Sequence, residues 1–133
     1  MVNYIAVLVA AVAAHLLGFL WYGPLFGKKW MQLMKLTDKD KEKAKHKGMA
    51  TAMVGSFIGN VVMGGVLAFL IDLAGVSLAN GLMLGFLTWL GFLATEKMGM
   101  VFWENKSWSL YVLQTAHHLV SLLLIGAILG AWK

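Results

Sequence analysis

Apolar and polar positions fall into long blocks along this chain. Four stretches, Asn3–Tyr22, Met49–Leu73, Ser77–Phe102 and Trp108–Trp132, are almost continuously apolar. Each has about the 20 residues a helix needs to cross the hydrocarbon of a bilayer. Between the first two runs a polar stretch, residues 28–48, and only short turns separate the others. The pattern predicts an all-α membrane protein, a four-transmembrane-helix bundle over residues 1–133 as a single transmembrane domain. The first stretch has no positively charged leader and runs into Trp21-Tyr22-Gly23-Pro24 instead of a small-residue cleavage site, so it reads as a retained helix. Pro24 lacks an amide donor and restricts Gly23, which ends that helix.

Within the fourth stretch, Gln114, His117, His118 and Ser121 fall at i, i+3, i+4 and i+7, along one face. Polar groups facing lipid are costly, so this stripe must turn towards other helices. Small residues supply surfaces for such contact. Ala6, Ala10, Ala14 and Gly18 form a smooth ridge on the first span, and Gly55–Gly59, Gly81–Gly85 and Gly126–Gly130 are GxxxG pairs on the other three.

Charge sets the orientation. The formal net charge is +5, with no arginine, and Lys28, Lys29, Lys35, Lys39, Lys41, Lys43, Lys45 and Lys47 lie in the first polar stretch. By the positive-inside rule this stretch is cytoplasmic, as is the short loop flanked by Lys97 and Lys106, and both chain termini are external. The lysines read as a membrane flank, not a nucleic-acid surface. Thr37 is a predicted helix N-cap, with Asp38 and Asp40 in the first turn of a helix continuing into the second span. With no cysteine, disulfides, thiolate metal sites and a cysteine nucleophile are excluded.

Polar side chains recur at one depth. From the cytoplasmic ends of their spans, His15 and Glu96 lie roughly 10 Å deep, and Asn60, His117 and His118 roughly 15 Å, at 1.5 Å per residue. Thr88 and Gln114 belong to the same set. An intramembrane ionisable group is a functional candidate by default. Asn60, Thr88 and Gln114 also have an ordinary reading as interhelical hydrogen-bond partners.

Asn3-Tyr4, the block Gly18-Phe19-Leu20-Trp21-Tyr22-Gly23-Pro24-Leu25-Phe26-Gly27-Lys28 with Trp30-Met31, the segment Thr88-Trp89-Leu90-Gly91-Phe92, and Ala116-His117-His118-Leu119 running to Gly126-Ala127-Ile128-Leu129 together resemble a small bacterial membrane family, domain of unknown function 1761. The resemblance implies a compact four-span protein of the bacterial inner membrane. It carries no established activity and hence no catalytic residues.

Three functions compete. In a homo-oligomeric transporter or channel for a small molecule or ion, Glu96, His117 and His118 exchange protons, and Asn60, Thr88 and Gln114 bind substrate. In a membrane redox or metal protein, His15 with His117 or His118 ligates haem, or these histidines with Glu96 hold a divalent metal, although no cofactor is required by the sequence. In an accessory subunit the layer only fixes helix register. Enzymatic hydrolysis is not indicated: Ser121 lies near both histidines, but no nucleophile elbow or oriented acid accompanies it.

Overall fold

Each helix starts and stops where local chemistry directs it. The structure, a computed structural model, describes residues 3–35, 37, 39, 40, 42 and 49–132. Asn3 opens α1 (Tyr4–Leu20), its side-chain oxygen accepting from the amides of Ile5 (3.0 Å) and Ala6 (3.2 Å). The helix then widens into a π-helical segment, Trp21–Leu25, broken by the non-helical backbone of Gly23 ahead of Pro24. A short amphipathic helix, α2 (Gly27–Met34), follows and ends at left-handed Lys35. The sequence reading took residues 28–34 as the start of a polar loop. They form a helix because Trp30, Met31, Leu33 and Met34 share a half-buried side while Lys28, Lys29 and Gln32 stay exposed.

Thr37 accepts from the amide of Asp40 (3.3 Å), and the Asp40 carboxylate accepts from the Thr37 amide (2.9 Å). This is a reciprocal cap of the predicted kind. Its predicted continuation through residues 43–48 lies outside the described residues.

The long helix α3 (Met49–Ala74) turns at Gly75, whose φ of +109° suits a residue without Cβ. Asn80 closes that turn, donating to the carbonyls of Ala74 (3.3 Å) and Gly75 (2.8 Å). Capped by Ser77, α4 (Leu78–Thr88) passes into a second π-helical segment, Trp89–Ala94, before a last turn, α5 (Gly99–Phe102). The single helix expected over 77–102 is thus interrupted. Thr88 donates to the carbonyls of Leu84 and Gly85, and Thr95 to that of Gly91. Such back-bonding bends and loosens a helix. Ser107 caps α6 (Trp108–Ala131).

Four spans, Tyr4–Leu25, Ala50–Ala74, Leu78–Phe102 and Trp108–Ala131, are long and apolar enough to cross a membrane, and no strand occurs among the described residues. The fourth is central: 39% of its apolar window is buried, against 17–28% for the others. Ala6, Ala10 and Ala14 of α1 pack with Leu67, Ala68 and Ile71 of α3 and with Leu122, Ile125 and Leu129 of α6. On its other side α6 meets α4 backbone to backbone. A Cβ added to Gly81 would collide with the carbonyl of Gly126, one on Gly85 would stand 2.7 Å from that of Leu122, and one on Gly130 would strike that of Ser77. Close approach of this kind replaces the missing hydrophobic drive between helices in lipid. Gly55 and Gly59 differ: both are exposed, and nothing lies within 4 Å of a Cβ built on either. Among the described residues their GxxxG pair meets no other helix.

Two tryptophans lock the bundle to α6. Trp21 donates its indole N–H to the carbonyl of Leu113 (3.2 Å), and Trp89 donates to that of Thr115 (2.8 Å). In return the hydroxyl of Tyr111 donates to the Ala94 carbonyl (2.6 Å). Each tryptophan begins a π-helical segment.

The glycine contacts predict opposite signs for one substitution. Gly126→Ala and Gly81→Ala should each destabilise the bundle by about 1–3 kcal/mol, because backbone cannot yield as a side chain would. Gly59→Ala should be neutral or stabilising by up to about 1 kcal/mol, through helix propensity alone. Thermal unfolding in detergent, followed by circular dichroism, measures both. On the same assay Trp89→Phe should cost about 1 kcal/mol, the scale of a hydrogen bond between spans.

Candidate functional site

Consecutive residues on a helix point about 100° apart at 3.6 residues per turn, so the polar stripe of α6 covers a broad arc. His117 and His118 sit at its two sides and serve different surroundings. The rings touch, with centroids 5.1 Å apart in an edge-on arrangement. Beyond that contact they diverge.

His117 lies in a cleft of about 370 Å³ between the first, second and fourth spans. The first span contributes His15, Gly18, Phe19 and Tyr22, and the second contributes Ala52, Met53, Ser56 and Asn60. Small residues open this space. Gly18 leaves room for the imidazole, since a Cβ there would stand 3.6 Å from His117 Nε2, an ordinary contact distance. Aromatic edges shape the remainder. Tyr22 packs edge-on against His117 (5.0 Å between centroids) and Trp21 lies 5.9 Å from it. His15 is held edge-on to Phe19 (5.0 Å) and Phe57 (5.8 Å). Both ring nitrogens of His117 are buried and meet no hydrogen-bond partner. A neutral imidazole carries one donor and one acceptor, and buried polar atoms without partners are rare enough to require an explanation.

His118 lies within electrostatic reach of Lys97 and one turn beyond Gln114 on its helix. Lys97, Gln114 and Glu96 line a second cavity, about 290 Å³, with Glu104 and Lys106 of the following loop and Met34 of α2. This one is charged and sits at the Lys-rich end of the third and fourth spans. The predicted layer is therefore divided between two sides of α6. His15, Asn60 and His117 meet in the cleft, while Glu96 and Gln114 meet in the charged cavity. Thr88 belongs to neither: it lines an apolar groove between the second and third spans, its hydroxyl bonded to its own helix. Ser121 is buried inside the bundle.

Sequence reasoning passed over Tyr22, Ser56 and Lys97 as site residues. Tyr22 lies seven residues from His15, on its face, but an aromatic before a proline at the end of a span reads as a boundary anchor. Ser56 was visible as the residue one turn before Asn60, and Lys97 only as a flanking charge. Among the described residues no group of three or more His, Asp or Glu side chains is placed to hold a metal ion. His15 and His117 share the cleft, but Glu96 lies in the other cavity, so the three-ligand set of the metal reading is not assembled.

No curated protein and no solved structure matches the sequence. A family model described as protein of unknown function (DUF1761) matches residues 5–130, nearly the whole chain. That range takes in all but the first residue of the first span, the whole of the second and third, and all but the last residue of the fourth, with both sides of the histidine pair. The protein is a four-span member of the DUF1761 family.

Proposed function

We propose that this protein is a small membrane carrier. The cleft around His117 is its substrate site, and the paired histidines pass protons between that site and the charged cavity at the Lys-rich end. One observation carries the reading. Two imidazoles are in ring contact: His117 lines the cleft, while His118 lies one turn from Gln114 and within electrostatic reach of Lys97, both of which line a cavity of opposite character. A proton taken by His117 in the cleft has His118 as its nearest relay, and His118 has Lys97 beside it, with Glu96 and Gln114 lining the same cavity as that lysine. Imidazole is the side chain suited to such exchange near neutral pH.

The reading puts the lysine-rich end in the cytoplasm by the positive-inside rule and the protein in a bacterial inner membrane. It also includes a second copy of the chain. Gly55 and Gly59 are bare on the outer face of the second span. A partner helix could approach closely along that glycine face.

Liposomes containing a pH-sensitive dye test the relay. After an imposed pH step, vesicles with the protein should equilibrate faster than empty ones. His117→Phe and His118→Phe, which keep ring bulk and remove the nitrogens, should each slow the protein-dependent rate tenfold or more, the scale of a lost proton-transfer group. Thr95→Val, whose parent hydroxyl is tied to Gly91, should change nothing. Equal rates in wild type and both histidine variants would sink the reading.

A further inference from the structure

We infer that the molecule held in this cleft is a neutral, lipid-soluble compound with a planar ring bearing a carbonyl or hydroxyl group, of the quinone or phenol class, and that it enters sideways from the bilayer. This rests on the reading of the cleft as the substrate site and names its substrate class.

The mouth is the first argument. Phe19 is 48% exposed and Met53 36%, and Ser56 beside them is exposed as well. All three belong to helices long and apolar enough to span a membrane, and we take the opening between them to face hydrocarbon. Solutes reaching such an opening must already be dissolved in the lipid.

Charge is the second argument. Among the described residues no Lys, Asp or Glu lines the cleft. A phosphate or an ammonium group there would lie at membrane depth with no counter-charge, which is costly. The described lysines of the polar stretch, Lys28, Lys29, Lys35 and Lys39, are not part of this lining.

The interior supplies the remaining chemistry. Binding sites for small molecules are mostly apolar, with a few convergent polar groups, and begin at about 300 Å³. This cleft has about that size and composition. His117 lines the cleft and both its ring nitrogens are buried without a protein partner, so turning the ring towards the cleft would let it donate to a carbonyl or accept from a hydroxyl. Asn60 lines the same space and offers an amide with both capacities. The edges of His15, Phe19, Tyr22 and His117 meet one another at steep angles, leaving faces and edges against which a flat ring packs well. An isoprenoid or alkyl tail would leave past Phe19 and Met53 into the lipid. The proposal concerns binding alone and requires no electron transfer.

The test uses the full-length protein in nanodiscs of zwitterionic lipid, titrated with decylubiquinone while tryptophan emission is recorded. Trp21, close beside His117, should be quenched saturably, and Trp21→Phe should remove that component. Binding should weaken tenfold or more in His117→Phe, about the effect of losing one desolvated hydrogen bond. It should be lost in Ser56→Phe, which fills the mouth from an exposed position and adds no tryptophan emission. Dodecanol, with a hydroxyl but no ring, should not compete. Absence of saturable quenching in the wild type, unchanged binding in both variants, or equal competition by dodecanol would each overturn the inference. Should the quinone fail to bind while proton equilibration still depends on His117 and His118, the substrate class falls and the carrier reading stands. Binding without any such dependence would give the reverse.

Discussion

Inside a bilayer every polar group must find its partner within the protein, because no water is at hand to substitute. The fourth span is where this protein meets that demand. Its backbone accepts two indole N–H groups, from Trp21 and Trp89, at carbonyls two residues apart, and its Tyr111 returns a bond to Ala94. Thr115 closes on its own helix through the Tyr111 carbonyl. Farther along, Gly126 and Gly130 let the third span approach to backbone contact. With its first turns held by the two indoles and its far end in close glycine packing, α6 has little freedom to rotate, and the direction of every side chain on it is fixed.

The same constraint explains the two π-helical segments. Each begins at a tryptophan that reaches the fourth span. Widening a helix by one residue changes the facing of everything after it. In the first span that change, together with Gly23 and Pro24, swings the chain into α2 and sets Trp30 edge-on to Tyr22 at 5.4 Å. In the third it precedes Glu96 and Lys97, which line the charged cavity. Helix geometry and site geometry are therefore one problem. The bonds that anchor the tryptophans sit within the turns that surround His117 and His118.

A polar stripe on a fixed helix, flanked by two unlike spaces, is the feature on which the proposed carrier function rests. The described residues lining the cleft carry no fixed charge, and exposed apolar side chains stand at its rim. The other cavity is lined by carboxylates and ammonium groups at the end of the bundle. Either alone has an ordinary explanation: the first as a gap filled by acyl chains, the second as a solvated loop. Neither explanation accounts for two imidazoles in ring contact, one lining the cleft and the other within electrostatic reach of Lys97. A histidine with both nitrogens buried and without partners is costly to keep in a protein that could have placed phenylalanine there.

Length and hydropathy determined the four spans and the all-helical class, since crossing hydrocarbon leaves a chain little other choice. Local chemistry determined the caps at Asn3, Thr37, Ser77 and Ser107, which need only residues a few positions away. The spacing of Gln114, His117, His118 and Ser121 established a polar face within the bundle. It did not say that this face would divide. Which neighbour each histidine meets depends on how far α6 is rotated, and that is set by indole bonds and glycine contacts from residues distant in sequence. For the same reason the three GxxxG pairs, alike in sequence, separate only in the tertiary structure. Gly81–Gly85 and Gly126–Gly130 face each other across a backbone contact, while Gly55–Gly59 looks outward. A small residue permits close approach, but only the packing of the whole chain decides what approaches it.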